Sequence, residues 1–282
     1  MHQKDRDTFS FCWNEKYLMN EFLKRIYHFI KSQFRFFKFI YWNILRLGYK
    51  FKILSIYNIP IIINNFNRLT HPLQLIEFLE NCGFTNIVML DNNSTYPPLL
   101  KFYNQTKHKI IRMGFNFGHL ALWKSNLYKN YKWNYFVYTD SDVVPIDECP
   151  KNFIDYFRKV LDQHYQLDKI GFGIKIDDLP NSFSLKERVV AYERRYWEKE
   201  FAPTLYQASI DTTFALYKPL SNLKNDQIYT LFAVRTGFPY LLRHLPWYAD
   251  SKNLTEEEQY YIQTCNNSSS LGKHQGGEEN VY

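Results

Sequence analysis

Residues 135–142 read YFVYTDSD, an apolar run of β-forming residues that ends in two aspartates separated by one serine. A short run of this kind, bounded by polar residues, predicts a buried strand over 135–139. Three similar runs precede it, namely IPIIIN (59–64), NIVML (86–90) and KIIR (109–112). Helical patterns separate these runs, and one of them begins at Thr70 or His71, with Pro72 in its first turn. The alternation predicts an α/β fold with a mostly parallel sheet flanked by helices.

Polar clusters follow three of these predicted strands, at 64–68, 91–94 and 140–142. Ligands of open α/β sheets bind beyond the carboxyl ends of the strands, so the three clusters predict a ligand with many hydrogen-bonding groups. Neither GxGxxG after the first strand nor GxxxxGK[ST] occurs, which disfavours dinucleotide and P-loop sites. Asp140 and Asp142 are two residues apart in extended backbone and point to the same side. Such a pair suits Mg²⁺ or Mn²⁺ shared with substrate phosphates.

The charge of the chain is concentrated in one segment. The 282 residues carry a net charge of +7, and residues 22–52 contain eight Lys and Arg with no acidic residue. Residues 1–21 sum to −1, so residues 53–282 are neutral and give no reason to expect a nucleic-acid partner. The four cysteines form no CxxC pair, which disfavours a disulfide framework or thiolate zinc site and fits a reducing compartment.

Residues 1–52 are predicted to be a basic amphipathic helical segment that ends near Gly48. At 100° per residue the basic side chains form one stripe and the apolar side chains cluster opposite it. No window of about 18 residues is free of charge, so a spanning helix is not expected. Residues 22–52 therefore favour a helix on an anionic membrane surface, peripheral on the cytoplasmic face. The alternative is a helix packed on its own domain or on a partner, with a solvated basic edge.

Four stretches together resemble the nucleotide-sugar half of a GT-A glycosyltransferase, most closely the family 2-like group. They are PIIINNFNR (60–68), LDNNST (90–95), NFGHLALW (116–123) and YFVYTDSDVVP (135–145). The resemblance spans residues 59–145, about a third of the chain. It implies a nucleotide diphosphate sugar as donor and Asp140-Ser141-Asp142 as the DxD motif that holds ribose and the metal–diphosphate. The nucleotide-sugar contacts it implies are Asn65, Asn67, Arg68, Asp91, Asn93, Asp140 and Ser141. Of the two aspartates, Asp142 is expected to be the direct metal ligand.

Residues 146–250 are expected to hold the acceptor and the base. A strand is predicted over 170–174, a charged helix over 186–199 and a second strand over 207–217. An inverting transferase needs a carboxylate to take the proton of the acceptor hydroxyl. Asp211 is the first choice and Asp178 the second. If the enzyme is retaining, Asp211 contacts the donor sugar instead, and the sequence leaves the stereochemistry open.

The segment 235–248 is a second dense patch of candidate residues. His244, in His-Leu-Pro-Trp, resembles a late histidine that completes the metal site in several GT-A families, and the alternative is a structural histidine. Trp247 and Tyr248 either stack on a sugar or pack in the fold. Arg235 and Arg243 are candidates for acceptor or diphosphate contacts, and solvated or salt-bridged roles are the alternative.

These patterns predict a GT-A domain over 53–250, divided at residue 145, and a polar tail over 251–282. The predicted function is metal-dependent transfer of a sugar, with a UDP-sugar the first donor to consider, to a glycan or lipid-linked acceptor at a membrane. One alternative is a nucleotidyltransferase, which also uses an aspartate pair with Mg²⁺. It would carry a Gly-rich basic loop after its first strand, and residues 64–70 contain no glycine. A non-catalytic membrane or glycan-binding module is the other alternative.

Overall fold

A computed structural model of the chain describes residues 4–221 and 227–265. The chain divides between Ile53 and Leu54 into two compact units. The first contains the helix α1, and the second contains a sheet with its flanking helices. The division into segments 1–52, 53–250 and 251–282 remains a prediction, and residues 266–282 of the last segment lie outside the described part.

The helix α1 (Lys4–Lys50) is 47 residues long and contains no proline. At about 1.5 Å per residue it extends for roughly 70 Å. It ends two residues after Gly48, the residue expected to mark its end. Among the described residues, no helix combines the length and the apolar character that crossing a membrane requires.

The second unit contains a sheet to which the described residues contribute ten strands. The strands are β1 (Ile61–Asn65), β2 (Ile87–Asp91), β3 (Lys109–Arg112), β4 (Phe136–Asp140), β5 (Val143–Pro145), β6 (Lys169–Ile174), β7 (Glu200–Ala202), β8 (Leu205–Gln207), β9 (Ala215–Tyr217) and β10 (Ala233–His244). The α-helices of this unit are α2 (Thr70–Asn81), α3 (Pro97–Tyr103), α4 (Ala121–Lys124), α5 (Phe153–Gln163), α6 (Lys186–Arg194) and α7 (Glu256–Thr264).

The strand order is β3-β2-β1-β4-β9-β6-β10-β8-β7, and β5 pairs with β10. Strands β1 to β4 are parallel, and β6 is parallel to β10. Strand β9 lies antiparallel between β4 and β6, and β5 and β8 are antiparallel to β10. The predicted α/β fold with a mostly parallel sheet flanked by helices is therefore confirmed. The antiparallel members belong to the second half of the chain.

The register of the parallel strands brings their polar ends to one edge. Asn64 of β1 pairs with Leu90 of β2 on one side and with Asp140 of β4 on the other, and Asn65 pairs with Asp91. Carboxyl ends of adjacent parallel strands share an edge of the sheet, so the loops after β1, β2 and β4 lie together there.

Aromatic side chains form much of the core beneath this edge. The rings of Phe136 and Tyr217 stack at 4.9 Å between centroids, and those of Trp123 and Tyr138 meet edge to face at 4.6 Å. All four residues are fully buried, and large buried rings of this kind supply much of the apolar area that stabilises a core. The loops that carry the polar side chains are therefore mounted on closely packed strands.

The prediction of one strand over 207–217 is wrong. The chain forms the short strand β8 up to Gln207 and the short strand β9 from Ala215, and residues 208–214 are a loop between them. Asp211 therefore lies in a loop and not near the start of a strand. The charged helix predicted over 186–199 is α6, which ends at Arg194 and continues as a 3₁₀ turn over Arg195–Trp197.

Candidate functional site

A cavity of about 400 Å³ lies at the carboxyl edge of the parallel strands. We call it the cleft. Its volume is within the range of about 300–1,000 Å³ typical of sites for small molecules. Its walls come from the loops after β1, β2 and β4, from α6, from the loop 208–214, from β10 with the turn that follows it, and from the end of α7.

Asparagine amides fix the wall formed by the loops after β1 and β2. The Asn92 Nδ2 donates to Asn64 Oδ1 at 2.7 Å and to the Gly118 carbonyl at 3.0 Å. The Asn92 Oδ1 accepts from the Phe117 N–H at 3.2 Å. Since an amide side chain offers both donors and an acceptor, Asn92 joins the loops after β1, β2 and β3 at one point.

Asp140 connects the end of β4 to the loop 208–214. Its N–H donates to the Thr212 carbonyl at 2.9 Å, and its Oδ2 accepts from Thr212 Oγ1 at 2.7 Å. Burial, together with the negative charges of Asp142 and Asp211, raises the pKa of Asp140 well above its ordinary value.

Asp142 lies beside a group of positively charged or basic side chains. Although burial opposes its ionisation, His244, Arg68 and His71 lower the pKa of Asp142 below its ordinary value. Its Oδ1 is 3.7 Å from His244 Nε2. Burial lowers the pKa of His244, so its imidazole is neutral at pH 7.

The Asp142 Oδ1 and the His244 Nδ1 are buried and have no hydrogen-bond partner within the described residues. A carboxylate and a neutral imidazole are both ligands of Mn²⁺, and their unpartnered atoms fit a divalent cation. In the part of the chain that the structure describes, no group of three or more His, Cys, Asp or Glu side chains is arranged to hold a metal. A bound cation would therefore need oxygen ligands from the substrate as well.

Arg68 supplies a fixed cation in the same part of the cleft. Its side chain is 2% exposed and its guanidinium lies 3.9 Å from the ring centroid of Tyr261. Its Nη1 lies 3.3 Å from His71 Nδ1, and burial together with the Arg68 charge lowers the pKa of His71 to about 4. The buried Arg68 Nε has no hydrogen-bond partner among the described residues.

Asp211 lines the same cleft and lies in the loop 208–214. Its Oδ1 accepts from the N–H groups of Thr212 and Thr213 at 2.7 and 3.2 Å. Although burial opposes ionisation, Arg235, the two backbone N–H groups and Lys169 lower the pKa of Asp211. The carboxylate is therefore ionised at neutral pH.

Arg235 is buried between this loop and α6. Its Nε donates to the Ser209 carbonyl at 2.9 Å and its Nη1 donates to Glu193 Oε2 at 2.8 Å. Its guanidinium also stacks 4.0 Å from the ring centroid of Tyr196. These contacts hold the loop against the sheet. Arg235 forms a salt bridge, as in the alternative given for it above, and it also lines the cleft.

The helix α7 closes the side of the cleft next to Arg68. The carboxylate of Glu257 accepts from the Thr70 N–H at 3.1 Å and from Thr70 Oγ1 at 3.0 Å, at the first turn of α2. The Thr264 Oγ1 accepts from Asn67 Nδ2 at 2.8 Å. The segment expected to be a polar tail thus contributes a wall of the cleft, and its helix begins with a capping box at Thr255.

The structure brings together eight of the residues singled out from the sequence. The cleft is lined by Arg68, Asp140, Ser141, Asp142, Asp211, Arg235, His244 and Trp247. Seven others do not line it. They are Asn65, Asn67, Asp91, Asn93, Asp178, Arg243 and Tyr248.

The expected contact of Asp91 with the nucleotide is not found, because its carboxylate is fully buried and faces α3. It accepts from Tyr103 Oη at 3.1 Å and from the Ser94 N–H at 3.2 Å, and Arg112 Nε lies 3.5 Å away. The side chain of Asn65 likewise points to α3, with its Nδ2 donating to Tyr103 Oη at 3.0 Å.

Asn67 and Asn93 are turn residues with positive φ, 48° and 65°. The Oδ1 of Asn67 accepts from the N–H groups of Thr95 and Tyr96 at 2.7 and 3.0 Å. Asparagine tolerates this left-handed conformation better than most residues, which accounts for its presence at both turns.

Asp178, Arg243 and Tyr248 contact one another outside the cleft. The Arg243 Nη2 donates to Asp178 Oδ2 at 2.9 Å and Tyr248 Oη donates to Asp178 Oδ1 at 2.5 Å. These partners lower the pKa of Asp178, against the effect of its burial. The second choice of base and two of the acceptor candidates are therefore members of one surface ion-pair cluster.

Sequence reasoning missed several residues of the cleft wall. They are Asn64, Phe66, Asn92, Asn116, His119, Tyr192, Glu193, Tyr196, Tyr229, Tyr261 and Cys265. Asn64 and Asn92 belong to polar clusters noted after the strands, so their presence was signalled. Tyr192 and Tyr196 are four residues apart and share one face of a helical segment, a spacing that points equally to ordinary packing.

No family model matches the chain, and no curated protein matches it. Among solved structures, the chain is similar to S. aureus TarS 1–349, with 14% identity and a TM-score of 0.38 over 66% of this chain and 59% of that one. It is similar to GalNAc-T7 with UDP, GalNAc and Mn²⁺, with 11% identity and a TM-score of 0.43 over 66% of this chain and 42% of that one.

A third similar structure is a cytidylyltransferase from Leptospira borgpetersenii serovar Hardjo-bovis, with 15% identity and a TM-score of 0.30. That match covers 55% of this chain and 82% of the other. The chain spans less than two thirds of the length of TarS 1–349 and of GalNAc-T7.

Proposed function

We propose that this protein is a metal-dependent glycosyltransferase that moves a sugar from a nucleotide diphosphate sugar to a glycan or lipid-linked acceptor. One observation carries the proposal. Asp142, His244 and Arg68 line the cleft, and an ionised Asp211 lines it as well. A cation-binding set and an ionised carboxylate in one cleft suit transfer from a diphosphate to a hydroxyl.

The wall with Asp142 is suited to the diphosphate. Arg68 lines the cleft, and a guanidinium binds phosphate oxygens through charge-assisted hydrogen bonds. Asp142 and His244 would hold Mn²⁺ or Mg²⁺ there, with Asp140 close behind them. When bound, the cation supplies positive charge that stabilises the departing diphosphate. UDP-sugars are the first donors to test.

The wall with Asp211 is suited to the acceptor. In an inverting reaction the acceptor oxygen bonds to the anomeric carbon, the bond from that carbon to the diphosphate oxygen breaks, and the hydroxyl proton passes to a base. Asp211 is ionised and open to the cleft, as a base must be. If the reaction retains configuration, the same carboxylate contacts the donor sugar. Trp247, buried against His244 with ring centroids 4.6 Å apart, supports the histidine from behind.

The test is release of nucleoside diphosphate from a panel of nucleotide sugars, with Mn²⁺, with Mg²⁺ and with EDTA. Asp142→Ala should lower kcat/KM by about 100-fold or more, the size of effect seen when a group that stabilises transition-state charge is removed. Asp177→Ala is the matched control, since its side chain is 75% exposed and pairs with Lys175 away from the cleft. Full turnover by Asp142→Ala would refute the metal role. Formation of nucleoside triphosphate and sugar 1-phosphate when pyrophosphate is added, without release of nucleoside diphosphate, would favour a nucleotidyltransferase.

We further propose that α1 holds the enzyme on the cytoplasmic face of an anionic membrane. Its apolar stripe lies opposite its basic stripe, and every member of the following apolar set is at least 39% exposed: Leu23, Ile26, Tyr27, Ile30, Phe34, Phe37 and Ile44. An exposed apolar face beside a basic one suits the boundary between lipid headgroups and acyl chains.

Co-sedimentation of the full chain with vesicles tests this interaction. We expect binding to vesicles that contain phosphatidylglycerol and weak binding to pure phosphatidylcholine, because the basic stripe attracts anionic headgroups. The double variant Phe34→Glu, Phe37→Glu should abolish binding. A chain that ignores anionic vesicles would leave α1 as a packing or partner helix.

A further inference from the structure

Lys169 is a buried lysine directly behind the loop that carries Asp211. It begins β6, and its side chain is fully buried. Its ammonium donates to the carbonyl of Ile210, the residue that precedes Asp211, and lies 3.4 Å from Tyr217 Oη. Both of these partners are neutral oxygens, and within the described residues no carboxylate is bonded to the amine. A lysine is rarely buried in this way, because burial of an ammonium is costly.

The backbone on both sides of Asp211 is held by hydrogen bonds to three peptide carbonyls, those of Ser209, Ile210 and Thr212. Arg235 Nε binds the Ser209 carbonyl at 2.9 Å, and Lys169 binds the Ile210 carbonyl. On the other side of Asp211, the Thr212 carbonyl accepts from the Asp140 N–H at 2.9 Å. The direction in which the Asp211 carboxylate points therefore depends on two buried cations from β6 and β10.

The groups that face Lys169 determine its charge state. Burial and the nearby Arg235 of β10 favour the neutral amine, whereas Asp211 of the loop and Asp168 favour the ammonium, and Tyr217 of β9 contributes a hydroxyl. The balance, in which burial is the largest effect, lowers the pKa of Lys169 to about 7. The residue thus changes charge in the neutral range.

We propose that Lys169 is a positioning residue whose ammonium form holds the Ile210 carbonyl and keeps Asp211 directed into the cleft. This inference rests on the proposed function, in which Asp211 is the group that meets the acceptor or the donor sugar. A charge-assisted hydrogen bond is roughly twice as strong as a neutral one. While Lys169 stays buried, loss of its proton therefore weakens the bond to the Ile210 carbonyl and loosens the loop, whereas global unfolding, which exposes the amine, becomes less favourable. Lys169 does not line the cleft, and its loss should lower kcat while leaving donor binding nearly unchanged.

The experiment measures kcat and the donor KM between pH 5.5 and 9 for the full chain and three variants. The wild type should lose activity as the pH rises through about 7, the pKa of Lys169. Lys169→Met should lower kcat about tenfold at pH 6.5, with KM changed less than threefold and without that loss at higher pH. Lys169→Arg keeps its charge at every pH tested and should carry activity to higher pH than the wild type.

The matched control is Lys218→Met. Lys218 is also a buried lysine, but its amine donates to the carbonyls of Leu161 and Tyr165, both at 3.1 Å, beside the end of α5. Its replacement removes a buried ammonium away from Asp211. It should leave the shape of the pH profile as in the wild type, even where it lowers stability.

A second measurement does not depend on turnover. Amide hydrogen exchange at Thr212 and Thr213, corrected for the intrinsic pH dependence, should become faster in the wild type above pH 7 and be fast at every pH in Lys169→Met. If Lys169→Met fails to fold, the wild-type and Lys169→Arg profiles still decide the question.

The outcomes separate the two proposals. A wild-type chain that turns over donor while Lys169→Met or Lys169→Arg keeps the wild-type pH profile would overturn the role of Lys169 and leave the proposed function standing. Absence of donor turnover in the wild type would count against the proposed function. Exchange at Thr212 and Thr213 that does not respond to pH or to Lys169→Met would overturn the positioning role whatever the activity.

Discussion

Glu257 gives the sharpest test of how the cleft is closed. The first residues of α2 need hydrogen-bond acceptors, and its N-cap residue, Leu69, provides no side-chain bond. The carboxylate of Glu257, on α7, takes that place by accepting from the Thr70 N–H and Thr70 Oγ1 at 3.0–3.1 Å. Glu257 is 8% exposed, so water cannot easily replace it.

The cost of removing this carboxylate can be worked out from its two interactions. Loss of a helix N-cap acceptor costs about 1 kcal/mol, and loss of a partly buried negative charge at a helix N-terminus costs about 1–2 kcal/mol. We therefore expect Glu257→Ala to weaken the attachment of α7 to α2 by about 2–3 kcal/mol. Since about 1.4 kcal/mol corresponds to a factor of ten, local opening of α7 should become roughly 30- to 150-fold more frequent.

Amide hydrogen exchange in α7 measures that opening directly. The control is Glu256→Ala. Glu256 is in the same first turn of α7, so both variants remove one acidic residue from the N-terminus of α7 itself, and Glu256 is exposed. Only Glu257→Ala also removes the acceptor of α2. Because Tyr261 of α7 lines the cleft, the same variant should bind donor more weakly than the control.

Two results would refute the reasoning. Equal exchange in α7 for the Glu257→Ala and Glu256→Ala variants would show that the contact with Thr70 contributes nothing to the attachment. Faster exchange spread evenly over the whole second unit would show that Glu257 acts on global stability and not on closure of the cleft.

Two further predictions concern stability alone. Because the pKa of Lys169 is about 7 in the fold against 10.5 ordinarily, the native state binds fewer protons than the unfolded chain between these values. The unfolding free energy of the wild type, relative to Lys169→Met, should thus rise with pH by about 1.4 kcal/mol per unit between pH 7.5 and 9.5 in urea titrations; a flat difference would mean an ordinary pKa. Gly173→Ala would place its Cβ 2.4 Å from the Thr236 carbonyl and should cost about 1–3 kcal/mol by thermal unfolding. Gly114→Ala meets nothing within 4 Å and should change stability by less than about 0.5 kcal/mol.

The parallel half of the sheet could be predicted because its signals are local. Each of β1, β2 and β4 is a continuous apolar run followed by polar residues, and buried parallel strands have that pattern. The direction of the strands alone predicts the edge at which Asn64 and Asp140 are paired. It also predicts that the cleft lies at that edge.

The second half could not be predicted to the same depth, because its strands depend on partners far along the chain. Strand β9 is three residues long and exists because it pairs with both β4 and β6. Nothing within residues 207–217 distinguishes that strand from the loop before it. The helix α7 closes the cleft through a contact between Glu257 and Thr70, 187 residues apart, and no periodic pattern encodes such a contact.

The expectation for Asp91 shows a different limit. Its position at the end of β2 was predicted correctly, but a position at an edge does not determine where a side chain points. The hydroxyl of Tyr103, on α3, draws the carboxylate away from the cleft. That contact involves the packing of α3, whose existence is predictable from Pro97 and Pro98 but whose orientation is not.

Three aspartates line the cleft, and their negative charges repel one another. Positively charged side chains offset this repulsion for two of them and not for the third. Asp142 has Arg68 beside it and Asp211 has Arg235, and each guanidinium is itself fixed on a tyrosine ring, about 4 Å from its centroid. Those two acids can both be ionised because a buried guanidinium lies near each of them, although Arg235 is shared between Asp211 and Glu193.

Asp140 lies between them without a basic partner. Its hydrogen bonds come from the neutral side chains of Thr212 and Asn64, and its pKa is accordingly raised by burial and by its two charged neighbours. Its backbone and side chain both bind Thr212, so it joins the wall of β4 to the loop of Asp211. The three acids therefore have different surroundings: Asp142 lies beside Arg68 and His244, Asp211 accepts from N–H groups of its own loop, and Asp140 joins β4 to that loop.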